Sequence, residues 1–158
     1  MWSFIIKYNR VYGEFFEGSD IIATTADTPE VLAVSGILSN NNIFNTAGTY
    51  TVNVGGKYSV SLNAHLLNSV GAGADAYFWI RQNGSDVSDT MRKINTQNNW
   101  DTNIDLEFLL SLNDFDTVQI MWAVENTLLK CQAIAANSAG FTHPRAPSAT
   151  VAITPVGA

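Results

Sequence analysis

Apolar and polar residues alternate along residues 58–66 of the chain. One set of alternate positions holds Tyr58, Val60, Leu62, Ala64 and Leu66, and the positions between them hold Ser59, Ser61, Asn63 and His65. A period of two puts the apolar set on one face of a β-strand, whereas a helix would distribute it around its circumference. The pattern predicts a strand with one buried face. We expect His65, on the polar face, to be a surface or interface residue, because no second ligand at a metal-site spacing accompanies it.

A β-hairpin is predicted for residues 74–88, whose sequence is ADAYFWIRQNGSDVS. One face of its first strand would carry Ala76, Phe78 and Ile80, and the opposite face would carry Tyr77, Trp79 and Arg81. Asn83 and Gly84 suit a two-residue hairpin turn, because both central positions need a positive φ. Large apolar side chains occur on both faces. One face therefore fits the domain core, and the other needs a cover from elsewhere in this chain or from another copy of it.

Further strands are predicted along the rest of the chain. Residues 104–112 and 117–125 alternate in the same way, and Met121 lies on the second face of the latter segment, where an adaptable side chain suits a subunit contact. Residues 149–156 form a last strand, and residues 39–42 (SNNN) are predicted to be a loop. About eight to ten short strands with turns between them and no amphipathic helix indicate an all-β fold, an antiparallel β-sandwich of which a jelly roll is the leading candidate.

Aromatic and aliphatic residues are dense at the start of the chain. They are Trp2, Phe4, Ile5, Ile6 and Tyr8. Two interpretations remain open for residues 1–12: a first strand packed on its own domain, or a short N-terminal arm that docks on a neighbouring subunit or on another protein. Residues 13–158 are predicted to form one jelly-roll domain. The first residues lack the basic and long apolar regions of a signal peptide.

Composition excludes several classes of function. The chain has 158 residues, which is long enough for one domain with a core. Of these residues 46% are hydrophobic and 14% are charged, and the net charge is −6. No Lys/Arg run is present to bind a phosphate backbone, so no nucleic-acid partner is expected. No apolar run reaches the length of a membrane span. The single cysteine, Cys131, cannot form a disulfide within the chain and fits a small apolar filler.

Motifs for catalysis are absent from the sequence. There is no histidine-based metal run, glycine-rich phosphate loop or nucleophile elbow. The acidic residues fall mainly in turns or near strand ends, where turn preference explains them. We therefore predict no catalytic residues, no metal site and no cofactor, and a protein that is not an enzyme.

Four stretches carry a family resemblance. They occur in the order GGKYSVSLNAHL, AYFWIRQNGSDV, LEFLLSLNDFDTVQIMWAV and PSATVAITPV. This order resembles the C1q/tumour-necrosis-factor-like jelly roll over about residues 50–158, and residues 13–44 are similar to the more variable first strands of that family. The family usually has Gly-Asp before the second strand of the third motif, whereas this chain has Phe115-Asp116. The motif variants are most similar to those of bacteriophage virion proteins, notably those of cyanophages.

The resemblance implies a homotrimer in which three jelly rolls pack around an axis through aromatic and apolar sheet faces. The residues expected at that interface are His65, Tyr77, Trp79 and Met121. In this interpretation the apolar arm, with Trp2, Phe4, Ile5, Ile6 and Tyr8, anchors the trimer to the capsid.

Two functions follow from the resemblance as hypotheses. The first is a phage virion structural protein, namely a trimeric decoration or cement protein that stabilises the head. Such a protein would contact the major capsid protein or other virion proteins. It would be synthesised in the bacterial cytoplasm and would lie on the capsid surface. The alternative is a receptor-binding or fibre-tip module that recognises host surface glycans, for which Trp100 in an Asn-rich loop would be a contact. A secreted cytokine-like ligand fits less well, because no signal peptide or collagen-like repeat is evident.

Overall fold

A computed structural model describes residues 11–137 and 142–157 of the chain. The strands are β1 (Tyr12–Glu17), β2 (Glu30–Val31), β3 (Gly36–Asn41), β4 (Ile43–Thr46), β5 (Thr49–Val52), β6 (Gly56–Asn68), β7 (Ala74–Gln82), β8 (Ser85–Asp86), β9 (Arg92–Thr96), β10 (Asp101–Leu112), β11 (Asp116–Val124), β12 (Leu129–Cys131) and β13 (Ala149–Pro155). No helix occurs within these ranges. It follows that the described residues contain no helix that is long and apolar enough to cross a membrane.

The strands form two antiparallel sheets. Sheet 1 has the order β10-β6-β13-β1-β3, and β12 also pairs with β6. Sheet 2 has the order β4-β5-β11-β7-β8, with β2 on β11 and β9 on β7. In sheet 1 the last strand, β13, lies between β6 and β1. The fold is therefore an all-β jelly-roll sandwich, as the sequence predicted, although several of the thirteen strands in the described residues have only two to four residues.

The core lies between the two sheets and follows the predicted alternation. All five apolar residues of the alternating set on β6 are at most 2% exposed, as are Ala76, Phe78 and Ile80 on β7. The ring centroids of Phe78 and Trp122 are 6.3 Å apart, and those of Phe15 and Tyr50 are 4.9 Å apart. Period-two patterning thus fixes which face of each long strand is buried, and aromatic pairs fill the space between the sheets.

The turn after β7 has the predicted geometry. Asn83 and Gly84 have φ values of 49° and 80°, which is the pair of positive φ angles that a two-residue hairpin turn requires. β8 then pairs back on β7, with Arg81 opposite Asp86. The Asn83 amide also donates to the carboxylate of Asp116 over 2.7 Å, so the hairpin is tied to the first residue of β11.

Two local predictions compare differently with the structure. The prediction of a loop at residues 39–42 was wrong, because β3 extends to Asn41. Only Asn42, which has a φ of 60°, turns the chain. β3 is an edge strand that pairs with β1 alone in its sheet, so its Ser and Asn side chains need not be buried. The arm residues Trp2, Phe4, Ile5, Ile6 and Tyr8 lie outside the described residues. The first described strand begins at Tyr12.

Candidate interaction surfaces

An aromatic groove lies on the outer face of sheet 2. Tyr77 and Trp79 line it together with Ala123 of the neighbouring strand and the segment that follows β8, which contributes Val87 and Met91. Both aromatic side chains are half-buried, so each keeps part of its ring accessible. Since Tyr77 and Trp79 are two positions apart on one strand, their rings follow each other along the same face. This is the apolar second face that the sequence predicted would need a cover.

Hydrogen bonds to Asp86 fix the position of Trp79. The Asp86 carboxylate accepts from Arg81 Nε over 2.8 Å and also from the indole of Trp79. These two donors, Arg81 first, hold the pKa of Asp86 below its ordinary value. The indole is therefore oriented before any partner binds, which lowers the entropy cost of using it in a contact.

Asp75 and Lys93 orient Tyr77 in the same way. The Tyr77 hydroxyl donates to the Asp75 carboxylate over 3.3 Å, and the Lys93 ammonium lies 5.7 Å from the centre of the Tyr77 ring. Lys93 is also paired with Asp75, and Asn95 donates to the same carboxylate over 2.6 Å. These bonds, that of Lys93 first, lower the pKa of Asp75. Both aromatic residues of the groove are thus held in place by polar neighbours.

The other two predicted interface residues lie elsewhere. Met121 is opposite Trp79 in the pairing of β11 with β7, but β2 also pairs with β11 at Met121 and the side chain is only 1% exposed. Its burial leaves almost no surface for a second copy. His65 lies on sheet 1, where its ring contacts the carbonyl oxygen of Gln132 over 3.1 Å and the carboxylate of Asp101. The structure therefore brings Tyr77 and Trp79 together and places His65 on the other sheet.

A shallow polar groove lies on the outer face of sheet 1. Ser59 and Ser61 of β6 are in its floor, and β10 supplies the two acidic residues beside them. Ser59 Oγ donates to Glu107 Oε1 and Asn63 Nδ2 donates to Asp105 Oδ1, each over 2.6 Å. The carboxylates are thus hydrogen-bonded across the two strands, which accounts for the serine and asparagine residues on this face.

The loops at one end of the sandwich form a third surface. The loop between β10 and β11 contains Phe115, which is 69% exposed and has a φ of 66°. On the adjacent loop between β5 and β6, Val54 is 45% exposed. Asp114 joins the two loops, because its carboxylate accepts from the backbone N–H of Gly55 over 2.6 Å. In the sequence, Phe115 stands out only as a departure from a motif, because its exposure depends on how the loop is held.

Asp116 forms hydrogen bonds that hold the loops at this end of the sandwich in place. Its carboxylate accepts from the backbone N–H of Asn113 over 2.8 Å, from Asn83 Nδ2 over 2.7 Å and from Gln82 Nε2 over 2.8 Å. The bonds from Asn113 and Asn83 lower its pKa. β1 begins at this end and β13 finishes there, since Gly13 pairs with Ile153 and the Val156 N–H donates to the carbonyl of Lys57. The braced loops therefore lie at the end of the sandwich where β1 begins and β13 finishes.

Groups suited to catalysis do not converge on any of these surfaces. In residues 11–137 and 142–157, no three His, Cys, Asp or Glu side chains are arranged to hold a metal ion. Cys131 is fully buried, and burial raises the pKa of its thiol to about 12, so it is present as an unreactive thiol.

Comparisons with known proteins identify the fold. No protein-family model matches the sequence, and no curated protein matches it. Among solved structures, the globular domain of zebrafish complement 1qA protein is similar to this chain, with a TM-score of 0.59 and 13% sequence identity, over 94% of this chain and 98% of that one. A similarity at this level of identity concerns the fold alone, and it agrees with the resemblance in the sequence: the chain has a C1q-like jelly-roll fold.

Proposed function

We propose that the chain is a non-enzymatic structural protein of a bacteriophage virion that forms a homotrimer and decorates the capsid surface. The observation that carries this proposal is the oriented aromatic groove of Tyr77 and Trp79, which its own chain leaves partly open. Half-buried aromatic residues held by polar neighbours are typical of protein contacts, where they provide large area at low entropy cost. The C1q-like fold and the virion-type sequence motifs support the same proposal.

A ring of three copies suits the placement of the predicted interface residues. In a closed ring each copy uses two different patches, one for each neighbour. The groove at Tyr77 and Trp79 supplies one patch, and the polar face of sheet 1, which includes His65, supplies a second. Met121, at 1% exposure, supports the groove from within the chain and is left out of the proposed interface.

The apolar arm supplies the attachment in this proposal. Its aromatic and aliphatic residues, Trp2, Phe4, Ile5, Ile6 and Tyr8, would bury apolar area against the major capsid protein or another virion protein. Each Å² of apolar surface removed from water contributes about 25 cal/mol before association costs. A decoration protein that joins several capsid subunits opposes the outward pressure of packaged DNA with this buried area.

The solution mass tests the trimer. We expect light scattering to give about 52 kDa, three times the 17.2 kDa of the chain. The variant Trp79→Ala removes a half-buried ring from the groove and should shift the mass toward that of one chain. Leu128→Ser is the matched control, because Leu128 is 53% exposed in the loop between β11 and β12, outside both proposed patches, and no contact is assigned to it; its mass should not change. A wild-type mass of about 17 kDa at micromolar concentration would refute the trimer.

The arm is tested on particles. Capsids produced without this gene are incubated with purified protein in which Trp2, Phe4 and Ile5 are replaced by serine. We expect a folded trimer that no longer decorates the capsids, because the apolar contacts are gone. Decoration at full occupancy by this variant would exclude the arm as the anchor.

A second function is favoured by the same groove. Asp86, Ser88 and Asp89 flank Tyr77 and Trp79 along its rim, and an aromatic platform beside carboxylates and a hydroxyl suits a sugar ring. In that case the chain is a receptor-binding module for host surface glycans. Adsorption of the purified protein to host cells, lost in Trp79→Ala, would favour this function; a trimer that decorates capsids and does not adsorb to cells favours the first.

A further inference from the structure

Asn83 and Gly84 form the one Asn-Gly step in the sequence, and they lie exposed at the tip of the β7–β8 hairpin. Asparagine is a chemically labile residue, and its amide is lost most readily before glycine, because glycine has no side chain to shield its backbone nitrogen. A side-chain carbon added to Gly84 would meet no atom within 4 Å, and among the described residues no group accepts from the Gly84 N–H. The nitrogen that attacks during deamidation is therefore open to solvent and base.

The amide of Asn83, in contrast, is bonded through both of its polar atoms. Its Nδ2 donates to Asp116 Oδ1 over 2.7 Å, and its Oδ1 accepts from the backbone N–H of Thr117 over 2.8 Å. The backbone N–H of Asn83 also donates to the carbonyl of Thr117 over 3.0 Å. The side chain must turn away from β11 before its Cγ can meet the nitrogen of Gly84. Reaction therefore requires a local opening of these bonds.

Only a neutral amide satisfies both neighbours of this side chain. The N–H of Thr117 needs an acceptor, whereas Asp116 Oδ1 needs a donor, and one amide supplies both. A carboxylate at the same position can only accept, so it would face the Asp116 carboxylate with a like charge at hydrogen-bond distance. The other oxygen of Asp116 already accepts from Gln82 Nε2 and from the N–H of Asn113, each over 2.8 Å. Loss of the amide thus turns an attractive contact into a repulsive one.

We propose that Asn83-Gly84 is a deamidation site that the bonds to β11 keep slow, and that the reaction releases the β7–β8 hairpin from β11. The deprotonated nitrogen of Gly84 attacks Asn83 Cγ, the Cγ–Nδ2 bond breaks, and ammonia leaves as a succinimide ring closes. Water then opens the ring to aspartate or isoaspartate. The net reaction consumes one water and releases one ammonia for each amide converted to a carboxylic acid.

The site is independent of the proposed function, but it is close to the aromatic groove. On the other side of the turn, β8 supplies Asp86, which accepts from Arg81 Nε over 2.8 Å and from the indole of Trp79. The hairpin that deamidation releases therefore includes the carboxylate that orients the Trp79 ring.

Variants of the full-length protein test the effect of the product. Asn83→Asp has the aspartate that deamidation forms, and Asn83→Gly removes the same amide without adding a charge, at a φ of 49° that glycine adopts readily. We expect Asn83→Asp to unfold at lower urea concentration than Asn83→Gly, and its N–H at position 83 to exchange with solvent at least about tenfold faster than in the wild type.

A double variant separates repulsion from loss of the amide. Asp116→Asn added to Asn83→Asp places one amide opposite one carboxylate again, with the donor now on β11, and the amide oxygen can still accept from Gln82 and Asn113. The double variant should regain most of the stability that Asn83→Asp loses. The proposal is overturned if Asn83→Asp is as stable as the wild type, or if the double variant is no more stable than Asn83→Asp.

The reaction itself tests the protection. Wild type, Asp116→Ala and Asp114→Ala are incubated in mildly alkaline buffer with and without urea, and the deamidated fraction at position 83 is measured by mass spectrometry of peptides. We expect the folded wild type to react at least about tenfold more slowly than in urea, and Asp116→Ala to react about tenfold faster than the wild type without urea, the effect of one lost bond to a charged acceptor. Asp114→Ala is the matched control, because its carboxylate accepts from the Gly55 N–H and not from Asn83; its rate should equal that of the wild type.

Three results would contradict the proposal. No reaction at position 83 in urea would refute the site, and equal rates for the folded and the unfolded wild type would refute the protection. Equal acceleration in Asp114→Ala and Asp116→Ala would show that the bond to Asp116 does not control the rate. If Asp116→Ala does not fold, the comparison of Asn83→Asp with the double variant decides.

Discussion

The hydroxyl of Tyr50 is buried without a hydrogen-bond partner among the described residues. The side chain is 0% exposed between the sheets and its ring packs against Phe15 with a centroid distance of 4.9 Å. Burial raises the pKa of this phenol above its ordinary value, because the charged form would lose its hydration. Tyr50 therefore contributes its ring to the core while its oxygen reduces stability.

Removal of this oxygen should stabilise the protein. A buried polar group without a partner costs about 1–3 kcal/mol. Tyr50→Phe keeps the ring and its contact with Phe15, so only the small space left by the oxygen offsets the gain. We expect the free energy of unfolding to rise by about 1–2 kcal/mol, which corresponds to an increase of about 2–6 °C in the melting temperature for a domain of this size.

Tyr58→Phe is the matched control, and it should change the free energy of unfolding in the opposite direction. Tyr58 is 2% exposed, but its hydroxyl donates to the carbonyl oxygen of Val54 over 2.6 Å. Loss of this bond leaves the acceptor unpaired and should lower the free energy of unfolding by about 0.5–1.5 kcal/mol. Urea denaturation of the wild type and both variants at pH 7 measures the difference. A Tyr50→Phe protein that is less stable than the wild type would show that the Tyr50 hydroxyl has a partner in solution, and the reasoning would be refuted.

Three further outcomes are expected. Asn68 is fully buried, and its amide nitrogen contacts three acceptors, one of which is Thr96 Oγ1 at 2.9 Å. Asn68→Ala should therefore lower the free energy of unfolding by about 2–4 kcal/mol, measured by thermal denaturation. A decrease below about 0.5 kcal/mol would contradict this prediction. Hydrogen bonds lower the pKa of Asp116 in the folded state, so its carboxylate stabilises the fold above the unfolded pKa of about 3.9, and this stabilisation is lost as the pH falls through the folded pKa. Asp116→Asn should therefore flatten the dependence of the unfolding free energy on pH below about pH 4. An unchanged pH dependence would show that the bonds to the Asp116 carboxylate do not stabilise the fold. The buried Cys131 should react with a thiol reagent only in urea, and rapid reaction of the native protein would show that it is accessible.

The long central strands were predictable because both have a strict pattern. On β6 every second residue faces the core, and the structure buries the apolar set. On β7 the apolar residues of the second face, Tyr77 and Trp79, were recognised from the same alternation as surface in need of a cover. A period-two pattern reports the two faces of a strand directly, so both the fold and the aromatic groove could be derived from local sequence.

Features that depend on distant chain segments could not be derived in this way. Met121 alternates outward on β11 as Trp79 does on β7, but β2, which precedes it by about ninety residues, pairs at that position and the side chain is buried. The left-handed conformation of Phe115 depends on how Asp114 and Asp116 are held by other loops. β3 was missed because an edge strand has no second neighbour and can keep polar residues on both faces.

The place of β13 between β6 and β1 has a consequence for synthesis. Of the strands described, β13 leaves the ribosome after all the others, and it is an interior strand of sheet 1, so this sheet cannot close until residues 149–155 are available. Until then the facing edges of β6 and β1 carry unpaired backbone groups that can pair with another nascent chain. Any release of the protein before residue 149 should therefore yield aggregates rather than a smaller folded domain, and high expression rates should favour inclusion bodies.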